Sequence, residues 1–569
     1  MKKIALAAAL IIGALTLPTS CVEEYEPQNG NVTNGQAGSA PGSFDNFVNG
    51  ITTSLNGQSN YNNDPAEYAF DFGMPSMFIM HDVMGQDMVS NGTSTDWFST
   101  WYLYEQALGP SYAICQVPWT VYYAWIKNCN TVIAMAGTEP SEERKSGAGI
   151  AYAVRAAMYE DLARLYANKT YGEDPEAETV PWIDENTSAA ASTNNPRKTN
   201  EEMWALILAD LDKAEEYLQG YKRTDNSTPD LSVVYGLKAR AYLTMEDWPN
   251  AEKYAKLAME GYNVMSADQY TDRETGFNTP NGAWMWSLTY KSDDQVMTVN
   301  DADTSWGSWM SLELANGCGY ASNYGAPKAM DRHLYESIPA TDCRKKCFLD
   351  FSLDEMTDDN EKLAKLSEYS DYPAQMVATA EAEAGGLGYG GLSVKFRLAG
   401  GDAGHQSQYV GYLQSVPLMR VEEMKLIEAE AVGMQAGREA EGIALLTAFA
   451  QQRDPNYVYG EHNESYGNTS TSAFQNEIWW QRRVEFWGEG LSLWDIKRLN
   501  KAVIRSYAGT NHLEGMRWNS LDATDRAEGN NYPSAMNFCI VQSETNYNTA
   551  CTNNPAPQQP TQDSPEYKW

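Results

Sequence analysis

Two helix pairs built on closely spaced small residues constrain this chain more than any other feature. Residues 231–245 carry the three-and-four apolar spacing of a helix, and Trp248 opens a second run in which Ala251, Ala255 and Ala258 recur. Small side chains at that spacing share one helix face and let a neighbouring helix approach closely. The pattern returns far downstream. There residues 417–434 give the first helix, Gly437 the turn, and Ala440, Ala444 and Ala448 the expected close-packing face of the second.

This is the packing rule of tetratricopeptide pairs, here dispersed rather than in tandem. The expected fold class is therefore mainly α: a helical scaffold of dispersed tetratricopeptide-type pairs interrupted by a large loop-rich insertion. Residues 119–136 and 150–167, rich in Ala, Tyr and Leu, predict a further antiparallel pair. Thr199 or Asn200 is placed to cap a third helix, with Ile207, Leu208, Leu211, Ala214 and Leu218 on one face. The insertion, residues 263–414, has Trp284, Trp286, Tyr290, Trp306, Trp309, Tyr320 and Tyr324 among Gly, Asn and Asp, and β-leaning runs such as 392–398 predict short β-hairpins. Loops this long in a compact protein usually carry function.

The first twenty residues read as a leader, with Lys2 and Lys3 before an apolar run over 4–17 that is too short to span a bilayer. Ser20 before Cys21 resembles a bacterial lipoprotein cleavage site, which makes Cys21 the expected lipidation site. Residues 21–43 then form a flexible tether. The rest divides into an N-terminal helical part (44–262), the insertion (263–414) and a C-terminal helical part (415–569), within one integrated body. A net charge of −35 is repelled by nucleic acid and argues against it as a partner. Seven of the eight cysteines remain once Cys21 is acylated. That odd, scattered set does not read as a disulfide framework, and Cys343 and Cys347 read as buried or idle thiols.

Several ordered segments resemble the SusD/RagB family of nutrient-binding lipoproteins. The most specific is Trp480-Gln-Arg-Arg-Val-Glu-Phe-Trp-Gly-Glu-Gly-Leu-Ser-Leu-Trp-Asp-Ile-Lys-Arg498. There Arg482, Arg483, Glu485, Glu489, Gly490, Trp494, Asp495 and Arg498 fit the family signature, with Leu491 where many members have His. Leu418-Met-Arg-Val-Glu-Glu-Met-Lys-Leu-Ile-Glu-Ala-Glu-Ala431 is similar to the family's acidic helix, and Ile338-Pro-Ala-Thr-Asp-Cys-Arg344 to its Pro-x-x-Asp-x-Arg element. The lipoprotein start, Asp71-Phe-Gly73, Asp82-Val-Met-Gly85 and the helix pairs fall in the expected order, so the resemblance covers nearly the whole chain. Glu23, Glu24 and Glu26 resemble the acidic signal that sends such lipoproteins to the outer face of the outer membrane. The resemblance implies a surface-exposed outer-membrane lipoprotein that binds a glycan and delivers it to a SusC-like TonB-dependent transporter. A RagB-like peptide binder is the alternative, and a surface glycosidase the least favoured reading.

No catalytic constellation stands out. Glu485 and Glu489, four apart on an expected helix face, sit among arginines that keep them ionised, so Arg482, Arg483, Glu485, Glu489, Asp495 and Arg498 read as a structural signature. The five histidines are too scattered for a metal pair, and the glycine-rich stretches at 385–391 and 400–401 lack a following Lys-Ser/Thr. Asp301, Asp303 and nearby oxygens could hold Ca²⁺, but they lack calcium-loop spacing, and no cofactor is expected. What remains is an aromatic surplus suited to stacking against sugar faces. The candidates are Asp96, Trp97, Trp101, Tyr102 and Tyr104, and Trp284, Trp286, Tyr290, Trp306 and Trp309. Trp97 and Trp306 are preferred, because Ser, Thr, Asp and Gly surround them. In SusD-like proteins the ligand site resembles this arrangement, with loops off the scaffold led by aromatics.

Overall fold

The computed structural model describes residues 42–58, 68–90, 96–352, 356–376, 391–521, 529–560 and 564–569. The leader, Cys21 and nearly all of the tether lie outside the described residues. The principal elements, in chain order, are α1 (Ser43–Ser54), α2 (Met74–Met84), β1 (Met88–Ser90), α3 (Ser99–Tyr102), α4 (Ala113–Ala136) and α5 (Glu142–Tyr166). They continue through β2 (Glu178–Pro181), β3 (Arg197–Thr199), α6 (Asn200–Tyr217), α7 (Leu231–Thr244), α8 (Trp248–Ala258), β4 (Trp284–Thr289), α9 (Trp306–Met310) and β5 (Lys328–Met330). The chain ends with β6 (Ser415–Arg420), α10 (Val421–Gly433), α11 (Glu439–Ala450), α12 (Ala473–Glu485) and α13 (Ser492–Arg498).

The fold is mainly α, with helix α5 packed between α4 and α6, and α7 between α6 and α8. The two dispersed pairs meet in space, because α8 packs directly against α10. Thr199 caps α6 in a reciprocal box, accepting from the Glu202 N–H while the Glu202 carboxylate accepts from the Thr199 N–H. Ala251, Ala255 and Ala258 are all fully buried, as close helix packing requires. The second pair differs from expectation. Ala440, Ala444 and Ala448 face solvent, and α11 instead turns Gly442, Leu446, Phe449 and Ala450 inward. The reason is backbone contact: a Cβ on Gly442 would stand 2.5 Å from Gly433 Cα.

The strands pair across the chain rather than as local hairpins within the insertion. β1 runs antiparallel to β5, with Met88 opposite Met330, and β4 antiparallel to β6, with Trp284 opposite Arg420. β2 and β3 make the third ribbon. Residues 392–398 contribute only isolated bridges from Leu392 and Ser393. One hydrophobic core runs from Phe44 through Trp284 and Trp309 to Trp479 and Cys551, so the insertion shares its interior with the helical parts.

Buried ion pairs tie the three parts together. Helix α12 ends at Glu485, so Glu489 lies in the turn beyond it and the two acids do not share a helix face. The Glu485 carboxylate accepts from Arg453 at 2.9 and 3.0 Å, from Arg420 at 3.3 Å and from Arg344 at 3.4 Å. Burial alone would push Glu485 up, but Arg453 and Arg420 outweigh it and hold the carboxyl well below its ordinary range. Glu489 accepts from Lys395 and Arg420, each at 2.7 Å. Arg482 pairs with Asp495, Arg483 with Asp87, and Arg498 with Glu430 and Asp495. Lys395 and Arg344 come from the insertion, Arg420 from β6, and Arg453 from just beyond α11. The signature thus acts as a clamp between elements. Cys343 and Cys347 are buried in a short 3-10 turn, while Cys115 and Cys539, far apart in sequence, bring their sulfurs to 3.2 Å.

Candidate functional site

A continuous chain of rings leaves the core and reaches the surface at both ends. Trp97, 45 % exposed, tilts against Phe70 at 6.2 Å, and Phe70 meets buried Trp101 edge-on at 5.3 Å. Phe98 links Trp101 to buried Trp309 at 4.9 Å, Trp309 stacks on Tyr320 at 4.0 Å, and Tyr320 meets the exposed Tyr324 edge-on at 5.4 Å. The chain also folds back on itself, because the Trp97 indole lies close to the Tyr320 hydroxyl. Trp97, Tyr320 and Tyr324 therefore form one surface shelf held by core rings.

Its rim is acidic. The 3-10 segment Asn300–Ala302 has left-handed backbone at three successive non-glycine residues, φ 47°, 52° and 61°. Such conformations are costly and collect at functional sites. They hold Asp301 outward, where Tyr409, 48 % exposed, donates its hydroxyl to it at 3.0 Å. Asp303 accepts from the Gly319 N–H at 2.8 Å and the Tyr324 hydroxyl at 2.9 Å. Burial raises Asp303 above the ordinary carboxylate value, and those two donors oppose the rise. Beside the rim, Asn316 donates to Gln408 at 2.6 Å, and the Gln408 amide in turn donates to Cys318 Sγ at 3.4 Å.

The remaining expected contacts lie inside. Asp96 is buried in an ion pair with Lys328 at 2.5 Å and accepts from the Phe98 N–H. Trp284 and Trp286 sit on β4, a strand covered on both faces; Trp286 donates to Ser227 O and Tyr290 to Phe72 O. Trp306 packs edge-on to Phe396 at 5.0 Å and is 1 % exposed. Tyr102 and Tyr104 are buried, hydrogen-bonded to His512 and to Met84 O. Of the ten candidate ligand contacts, Trp97 alone offers an exposed ring, while Trp101 and Trp309 are the buttress behind it. Burial corrects the rest: a ring enclosed on both faces has none left for a sugar. Tyr320 and Tyr324 were visible in the sequence as part of the aromatic insertion. Tyr409 had no such company, and only its contact with Asp301 reveals it.

Two concavities elsewhere among the described residues lack a free platform. A cavity of about 250 Å³ is lined by Thr52, Asn56, Asp225, Thr289 and Lys291, without an aromatic ring. A second of the same size is lined by Glu461, Glu464 and Trp480, but one face of Trp480 is taken by His462 at 3.5 Å. Among the described residues, no group of three or more His, Cys, Asp or Glu side chains is placed to hold a metal ion, and no helix is long and apolar enough to cross a membrane.

A sequence model described as the SusD family matches residues 184–556, and one described as starch-binding and associating with the outer membrane matches residues 73–243. No curated protein matches. Among solved structures, the chain is similar to a SusD-like carbohydrate binding protein from Bacteroides vulgatus at 22 % identity and TM-score 0.67, covering 90 % of this chain and 97 % of that one. It is also similar to a SusD superfamily protein from Bacteroides thetaiotaomicron (19 %, TM-score 0.65, 90 % and 99 %). Surface glycan-binding protein A from the same organism, solved with laminarihexaose, matches at 17 % identity and TM-score 0.59, over 88 % of this chain and 97 % of that one. At these identities the structural likeness speaks to the fold.

Proposed function

The chain belongs to the SusD family, and from that premise we propose that it is a cell-surface glycan-binding lipoprotein that captures its ligand on the Trp97–Tyr320–Tyr324 shelf. The observation that carries this reading is the shelf itself: an exposed indole buttressed by core rings and rimmed by carboxylates. A pyranose presents a flat C–H face to Trp97 and donates a hydroxyl hydrogen to the exposed Asp301, with Asp303 behind it holding Tyr324 in place. Because the rings are held from behind, little side-chain entropy is lost on binding. The similar protein solved with laminarihexaose supports a glycan as the ligand class. Delivery to a SusC-like TonB-dependent transporter, and anchoring through a lipidated Cys21 at the outer membrane, complete the proposal. Its work is recognition and hand-over, with no bond made or broken.

Native gels containing a panel of plant, fungal and host polysaccharides test this with the mature, unlipidated protein and its Trp97→Ala variant. Retardation by at least one polysaccharide, lost in Trp97→Ala, is the expected result. Retardation that survives in the variant would remove the shelf as the platform. Binding of peptides and of no glycan would replace the reading with a RagB-like one.

A further inference from the structure

The charges around the shelf define which glycans it admits. Asp301 is exposed at its rim, and Asp303 stands behind Tyr324. Among the described residues, two nearby cations are already paired. Lys328, which lies 5.2 Å from the Trp309 ring, is buried against Asp96, and Arg397 is buried against Glu313 at 2.7 Å. The adjoining surface adds another acid, Asp402, which accepts from Tyr372 at 2.7 Å. Among the described residues, Tyr409 and Tyr324 on the rim and Gln408 and Asn316 beside it are uncharged hydroxyls and amides.

We propose that this shelf selects uncharged glycans and rejects those bearing uronate or sulfate groups, with Asp301 and Asp303 as the residues that set the selection. The inference rests on the glycan-binding reading above and narrows its substrate class. Acid recognition in proteins relies on arginine or lysine pairing with the anion, and here the pairing sites are spent inside the protein. An anionic sugar stacked on Trp97 would set its charge against Asp301 with no counter-ion but salt. A neutral hydroxyl in the same place donates a charge-assisted hydrogen bond instead.

The test uses a neutral polysaccharide that retards the protein and the same polymer after its primary hydroxyls have been oxidised to carboxylates. Affinities are measured by calorimetry at about 20 mM and about 500 mM salt, since screening shortens from tens of ångströms to a few over that range. The carboxylated form is expected to bind at least tenfold more weakly at low salt. The gap should narrow severalfold at high salt, and again in an Asp301→Asn/Asp303→Asn double variant. Equal affinity for both forms at low salt overturns the inference while leaving glycan capture intact. So does a gap that neither salt nor the double variant changes, because that would make the rejection steric. Failure to bind any glycan at all removes the reading beneath it, and the inference with it.

Discussion

Trp309 and Tyr320 lie face to face, ring centroids 4.0 Å apart and planes within 2° of parallel. Trp309 is wholly buried and donates its indole N–H to Ala69 O at 2.8 Å, whereas Tyr320 is half-buried and lies beside the exposed Trp97. Through this pair the rigidity of the core reaches the surface shelf, and the two tryptophans should fail in different ways. Trp97→Ala removes exposed area and is expected to weaken glycan binding tenfold or more, about 1.4 kcal/mol, with little change in melting temperature. Trp309→Ala empties a core site and should cost about 3–5 kcal/mol of stability as well as binding. Calorimetric affinities and thermal melts on both variants separate the cases. Equal melting losses would show that Trp97 belongs to the core.

Glu485 is the hub of the clamp between the insertion and the helical parts. Its removal in Glu485→Ala leaves Arg453 with Glu422 at 3.2 Å as its remaining ion-pair partner. Breaking a buried pair from one side costs about 3–5 kcal/mol, because the surviving charges stay desolvated. A lower urea midpoint with an unchanged slope is the expected reading. A loss under about 1 kcal/mol would mean that the arginines re-pair locally and the clamp is redundant.

The helical scaffold was readable because periodicity and small-residue spacing act locally: α7, α8 and the Thr199 cap follow from their own segments. The signature around Glu485 was readable as buried ion pairing because charges set among Trp and Phe must be paired once buried. The insertion was not, because its strands pair with partners distant in sequence, as Trp284 with Arg420, and no local pattern encodes that choice. For the same reason a tryptophan flanked by Ser and Asp reads alike whether it is exposed, as Trp97 is, or enclosed, as Trp306 is. Polar neighbours report the loop, and only tertiary contacts report which ring the loop turns outward.

The contact between α10 and α11 offers a sharper test of that local reading. A Cβ on Gly442 would meet Gly433 Cα at 2.5 Å and Ala429 O at 2.8 Å, both backbone atoms that cannot swing aside. Gly442→Ala gains up to about 1 kcal/mol of helix propensity. It is nevertheless expected to be net destabilising, since forced overpacking costs about 1–3 kcal/mol. Ala444→Ser, on the exposed face of the same helix, should stay within about 0.5 kcal/mol. Chemical denaturation of the two variants ranks them, and the reverse order would restore the alanine face as the packing surface.

The acid response of the fold should carry the mark of His81. Its ring packs edge-on to Trp494 at 4.4 Å, its Nδ1–H donates to Gly490 O at 3.3 Å, and its Nε2 is buried without a partner. Burial lowers its pKa from 6.5 to about 4, against a smaller upward pull from Asp161, so the folded state keeps it neutral. A base depressed in this way contributes its full stability above pH 6.5 and loses it as pH falls through 6.5 towards 4, by roughly 3 kcal/mol in all. Asp82 and Glu160 act in the opposite sense. Burial pushes them up to about 7 and about 8, so the protons they bind on folding favour the native state at low pH, and that benefit is lost as pH rises through those values. The wild-type melting curve therefore sums opposing trends, and the difference between two proteins isolates one of them. His81→Asn keeps a donor for Gly490 O and cannot titrate. Whatever the gap between variant and wild type at pH 7.5, it should move in the variant's favour by roughly 3 kcal/mol on going to pH 4. A gap that stays constant across that range would mean that His81 takes up its proton in the folded protein as readily as in the unfolded chain.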